Sequence, residues 1–172
     1  MALGFWGRAL AEPGRIAAVE PDGTEHTAGD LLARVNQLTH GLRAAGLRPG
    51  DGVAVLAPNG IAPLEVYLAA LQAGWYVTPI NWHFTPPEIA YILRDCEAKV
   101  FFVHERFAET GAEAALQAGI PASGRLCYGV VPGFLSVDRV RNGQTTELPG
   151  DRTAGATMHY TSGTTGRPAG PV

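Results

Sequence analysis

Short apolar runs alternating with helical stripes constrain this chain most. Val53-Ala54-Val55-Leu56 lies between Gly52 and Pro58 and shows no polar alternation, so it reads as a strand buried on both faces. Trp75 to Ile80 and Val100-Phe101-Phe102-Val103 read as two further strands, Leu126 to Val130 as another, and Ala156 to Tyr160 as the last. Helical patterns fill the intervals. Thr27 caps a helix whose first turn carries Asp30, and Leu31, Val35, Leu38, Leu42 and Ala45 form its apolar stripe up to Gly46. Asn59 is placed to cap a second helix, apolar on nearly all sides through Leu71 and stopped by Gly74. Thr85-Pro86-Pro87-Glu88 is a capping box with proline at the first helical position, followed by Ile89, Ile92 and Leu93. Glu105 to Gln117 reads as a fourth helix and Leu135 to Val140 as a short one, with a polar loop through Gly143 and Gly150. Strands alternating with helices imply an α/β fold, with a mainly parallel sheet and helices on both faces.

The totals exclude several classes of function. A formal charge of −3 with no Lys or Arg run gives no basis for nucleic-acid binding. Cys96 and Cys127 make neither a disulfide framework nor a metal spacing, and the five histidines show no ligand pattern. No stretch reaches the ~18 apolar residues of a membrane span. Arg8, Glu12 and Arg15 interrupt any signal-peptide core, so a cytoplasmic protein is expected. Trp75, Tyr76 and Trp82 read as core or subunit-contact residues.

Tyr160-Thr161-Ser162-Gly163-Thr164-Thr165-Gly166-Arg167-Pro168-Ala169-Gly170 carries the chemistry. Glycines let a backbone approach phosphate and turn its N–H groups inward, while hydroxyls add donors or a Mg²⁺ ligand. Composition alone would suit a flexible linker equally well. The P-loop pattern is absent, because the glycine spacing differs and no lysine precedes the hydroxyl.

The order of these residues closely resembles the phosphate-binding loop of the adenylate-forming superfamily, [Tyr/Phe]-Thr-Ser-Gly-[Ser/Thr]-Thr-Gly-x-Pro-Lys-Gly. Tyr160 to Pro168 and Gly170 fit every specified position. The likeness continues upstream through Gly50–Asn59, Tyr67–Gly74, Val77–Asn81 and Thr85–Glu97, so that it spans about residues 27 to 170. Ala169 departs from it, standing where the family has lysine, and Arg167 falls at the variable position and reads as a surface arginine.

The resemblance implies the N-terminal portion of an AMP-forming acyl-CoA synthetase. Residues 1–172 would be the first part of the large ATP-binding domain, with the remaining subdomains and the C-terminal domain absent. The implied ligands are ATP, Mg²⁺, coenzyme A and a carboxylic acid. A fatty acid is preferred, because residues 77 to 103 most resemble fatty-acyl members. Thr161, Ser162, Gly163, Thr164, Thr165, Gly166 and Gly170 would hold the phosphates, Thr161 would also contact Mg²⁺, and no catalytic residue is assignable. The chain alone is expected to be inactive, to be mobile from Ser162 to Val172, and to form a homodimer through Trp75, Tyr76, Trp82 and Phe84. The rival reading is a non-catalytic remnant that self-associates and binds no nucleotide tightly.

Overall fold

A computed structural model describes residues 4–162 and 168–169, the last four of these by backbone alone. The elements run α1 (Phe5–Ala11), β1 (Ile16–Val19), β2 (Glu25–Thr27), α2 (Ala28–Ala44), β3 (Gly52–Leu56), α3 (Ile61–Ala73), β4 (Tyr76–Pro79), α4 (Pro86–Asp95) and β5 (Ala98–His104). They continue with α5 (Ala108–Ala118), β6 (Arg125–Tyr128), β7 (Leu135–Ser136), α6 (Val137–Arg141), β8 (Ala156–Thr157), β9 (Thr161–Ser162) and β10 (Pro168–Ala169). Six strands form one sheet in the order β7-β6-β5-β3-β4-β8. Each neighbouring pair in it is parallel.

Strand β5 shows why the sheet is covered on both sides. Val100 and Phe102 pack with Val35, Leu38 and Val66 of α2 and α3, whereas Phe101 and Val103 pack with Ile89, Ile92 and Ala114 of α4 and α5. Successive strand side chains point to opposite faces, so a continuous apolar run needs helices on both.

The expected caps hold at α2 and α4. Asp30 N–H donates to Thr27 Oγ1 at 3.1 Å, and Thr85 N–H donates to the Glu88 carboxylate at 2.7 Å. At α3 the expectation fails. Its N-cap is Gly60, not Asn59, and no side chain of its own caps it. Glu20, at the end of β1, supplies the acceptor instead, taking the Ile61 N–H at 2.9 Å. Gly60 has φ +154°, a conformation that calls for glycine, and a Cβ there would lie 2.6 Å from that carboxylate, which would have to shift off the cap.

Other boundaries also shift. Residues 105–107 form a 3-10 turn before α5, Leu135 opens as strand rather than helix, and α1 with the β1–β2 hairpin carried no expectation.

The polar stretch read as a loop is a strap fastened to α2. Asn36 and Gln37 donate to the carbonyls of Thr146 and Gln144, His40 meets the Glu147 carbonyl, and Arg43 pairs with Asp151 at 2.6 Å. Its start is clamped by fully buried Glu65, which accepts from Arg34 at 2.9 Å and from Arg141 at 2.6 and 2.7 Å. Arg141 also pairs with Asp138. The Tyr128 hydroxyl is buried beside this cluster, and burial first, then the Glu65 charge, pushes its pKa well up. The strap delivers the chain to β8, at the edge of the sheet.

Candidate functional site

Strand order places the site. From β3 the chain crosses through α3 on one face to β4, and from β5 it crosses through α5 on the other face to β6. The two connections leave the carboxyl ends of neighbouring strands in opposite directions, and ligands of open α/β sheets bind in the crevice this opens. A cavity of about 490 Å³ lies there, lined by Glu20, Pro58, Asn59, Trp82, His104 and Arg106.

Trp82 is 46% exposed, unusual for so large an apolar ring. It stacks on Phe107 with centroids 5.9 Å apart and planes 12° from parallel, and the His83 ring centroid lies 3.6 Å from its own, tilted by 31°. The Arg106 guanidinium stands 5.7 Å from the Phe107 ring centre. His104 Nδ1 accepts the Arg106 backbone N–H at 3.1 Å, so the neutral imidazole carries its proton on Nε2 as a free donor. An aromatic surface, a cation and a donor thus gather at one strand end.

A second cavity of about 350 Å³ shares Asn59 and Trp82 with the first. Tyr67, Asn81, His159 and Tyr160 bound it, so it leads from the crevice toward the candidate phosphate loop. Tyr160 lines this cavity, and its hydroxyl donates to Asp95 Oδ2 at 2.6 Å. Burial first, then this bond, raises the Tyr160 pKa well above the ordinary phenol value.

The loop is joined at its base. β9 pairs antiparallel with β10, setting Thr161 opposite Ala169 and Ser162 opposite Pro168. Gly163, Thr164, Thr165, Gly166 and Gly170 lie outside the described residues, as do the side chains of Thr161 and Ser162. The expected mobility from Ser162 to Val172 likewise falls, apart from these strand pairs, outside the described residues. Among the described residues no group of three His, Cys, Asp or Glu could hold a metal ion, and no helix is long and apolar enough to cross a membrane.

The aromatic contact residues part company. Trp75 is 1% exposed within the chain's own core and cannot serve a second subunit. Tyr76 remains half exposed, but at the opposite strand ends, beside a third cavity lined by Asp51, Asp95, Lys99 and Met158. Sequence reasoning missed the crevice itself. Trp82, His104 and Arg106 carry no motif, and only the registers of β4 and β5 against β3 bring them beside Asn59.

Known proteins share this fold. The chain is 39% identical to feruloyl-CoA synthase of Amycolatopsis sp over 99% of its own length and 33% of the relative's. It is 31% identical to the long-chain-fatty-acid–CoA ligase FadD13 of Mycobacterium tuberculosis, covering 96% of this chain and 33% of that one. Its fold superposes on the anthranilate CoA ligase AuaEII, solved in complex with anthranoyl-AMP, with a TM-score of 0.84 at 27% identity, over 96% of this chain and 32% of that one. The N-terminal domain of FACL13 from Mycobacterium tuberculosis gives a TM-score of 0.81 at 29% identity, over 96% and 42% of the two chains. The chain thus spans about a third of the length of these curated relatives. With the profile for AMP-binding enzymes matched over residues 5–172, and a parallel sheet that superposes on the N-terminal part of such enzymes, the chain belongs to the AMP-binding enzyme family.

Proposed function

We propose that the protein activates a carboxylic acid with ATP and passes the acyl group to coenzyme A. In the first step a carboxylate oxygen attacks the α-phosphorus, the bond to the β-phosphate oxygen breaks, and pyrophosphate leaves. In the second the thiol sulfur attacks the acyl carbon, AMP departs with its phosphate oxygen, and the thiol proton is lost. An anion must approach a polyanion in the first step, so alignment and charge neutralisation dominate its barrier.

The observation that carries this reading is the hydroxyl- and glycine-rich loop following β8, with its base closed by the β9–β10 pair beside the carboxyl-end crevice. Thr161, Ser162, Gly163, Thr164, Thr165, Gly166 and Gly170 are the phosphate-holding residues in this proposal, and Thr161 the Mg²⁺ contact. The crevice suits the nucleotide end of coenzyme A. Trp82 offers a face for a base, and Arg106 and His104 offer donors to phosphate. Self-association is retained only for the Tyr76 face beside the β8 edge, which leaves Trp82 free for ligand.

The acid itself has two candidates. A fatty acid fits the likeness of residues 77 to 103, while the 39% identity to a feruloyl-CoA synthase favours a hydroxycinnamic acid. Acid-dependent exchange of labelled pyrophosphate into ATP tests the reading, using the protein expressed from its complete reading frame and a panel of both acid classes. Exchange with one class is expected. No exchange with any carboxylic acid would sink the proposal. The 172-residue chain alone is expected to show none.

A further inference from the structure

Two local rules are broken side by side at the end of α4. Asp95 is its last residue, where a carboxylate meets the negative end of the helix dipole and is disfavoured. Glu97, two residues on, adopts φ +49° and is the one non-glycine residue with positive φ among those described. A position in the left-handed region normally takes glycine, and residues held there persist only where their surroundings over-determine them. Neither choice serves the helix. Arg94 is already engaged with the Gln117 carbonyl, and Cys96 is buried, so no neighbour compensates Asp95 within its own turn.

What Asp95 does hold is Tyr160. The phenol reaches across 65 residues of sequence to donate to Asp95 Oδ2 at 2.6 Å. Its ring packs against the core cluster that also contains Ile89, Ile92 and Leu93 of α4. The need for such a hold is evident from the sheet. β8 is only two residues long, its last ladder bond runs from Met158 N–H to the Val77 carbonyl, and His159 is exposed. Among the described residues, no further bond to the six-stranded sheet fixes the direction in which the chain enters β9 after Met158. The Tyr160–Asp95 bond comes one residue before Thr161 and ties that entry to a helix seated by four buried residues.

We propose that Asp95 is a positioning residue. Through Tyr160 it sets the angle at which the chain enters β9, the strand after which the proposed phosphate-holding residues follow in sequence. The nucleotide half of this inference rests on the function proposed above, whereas the anchoring half does not.

The test uses the 172-residue chain with Asp95→Ala, Tyr160→Phe and the double variant. Amide exchange is followed at Thr161, Ser162 and Ala169, alongside thermal melting and titration with MgATP. Alanine at a helix C-terminus is a better helix former than aspartate, so α4 itself should hold or tighten. Either single change is expected to speed exchange at the three amides about tenfold, the double variant no further than either, with the melting temperature moved by less than about 2 °C. MgATP affinity should fall about tenfold in all three, in line with a lost hydrogen bond to a charged group. Unchanged exchange at Thr161 and Ser162 overturns the anchor. Faster exchange with unchanged MgATP affinity overturns the positioning role. If the unaltered 172-residue chain binds no MgATP, the titration is repeated on the protein from the complete reading frame; no binding there fails the proposed function, and the exchange data decide the anchor without it.

Discussion

Replacing Glu65 by Gln should be among the most damaging conservative changes available to this chain. The side chain is 0% exposed and holds two guanidinium groups, Arg141 at 12% exposure and Arg34 at 30%. Gln keeps the shape and one acceptor oxygen but removes the charge. Among the described residues Arg141 would then retain only Asp138, itself largely solvent-exposed, as a carboxylate partner and Arg34 none, with one amide oxygen left for the two guanidinium groups to share. Removing one partner of a buried pair costs about 3–5 kcal/mol, because the remaining charge stays desolvated. In a chain of this size each kcal/mol moves the melting point by roughly 2–4 °C, giving an expected drop of about 6–20 °C. Circular dichroism at 222 nm, with Trp fluorescence as a second probe, gives the transition. A triple variant, Glu65→Leu with Arg34→Met and Arg141→Met, is the counter-test. Replacing the buried carboxylate and both guanidinium groups by apolar volume, with exposed Asp138 left to solvent, should recover most of the loss. A Glu65→Gln melt within about 2 °C of the parent would refute the reasoning. It would mean that water, rather than the carboxylate, solvates the two arginines.

Three further outcomes follow from other parts of the molecule. Gly155→Ala should cost about 1–3 kcal/mol, since a Cβ there would collide with the backbone carbonyls of Ala70 and Trp75 and push β8 off the sheet; chemical denaturation measures it, and an unchanged midpoint contradicts the packing described. Arg106→Ala and Trp82→Ala should each raise KM for coenzyme A about tenfold while leaving KM for ATP alone, and equal effects on both substrates would remove the crevice from the coenzyme A site. Burial pushes the thiols of both Cys96 and Cys127 above the ordinary cysteine range, so at pH 8 the thiolate fraction is small and a disulfide reagent should react slowly until denaturant is added; fast native labelling would contradict their placement.

The central strands were legible because Val53–Leu56 of β3 and Val100–Val103 of β5 are short unbroken apolar runs, the pattern of a sheet covered on both faces. The α2 and α4 starts were legible because their caps lie within four residues of the helix. The α3 cap was not, since its acceptor, Glu20, stands 41 positions away and no local signal marks it. The strap was unreadable for the same reason. Its backbone is satisfied by Asn36, Gln37 and His40, which in the sequence look like the solvated face of an amphipathic helix. Trp75 and Tyr76 are adjacent in sequence, yet one is core and the other surface, because consecutive positions entering β4 face opposite ways. The phosphate loop carried its own signal in residue order. The crevice is a product of strand order, and no segment of the chain contains enough of it to be recognised alone.

The central claim is that residues 161–166 and Gly170 receive the phosphates of a nucleotide. Amide chemical shifts of the isotopically labelled chain, followed during titration with MgATP, address it directly, because they report each backbone N–H without requiring turnover. The claim predicts saturable shifts concentrated at Ser162, Gly163, Thr164, Thr165, Gly166 and Gly170, abolished in a chain whose Gly163 and Gly166 are both replaced by Val. Saturable shifts centred instead on Gly60 and Ile61 at the start of α3, or no shifts at millimolar MgATP, would contradict it.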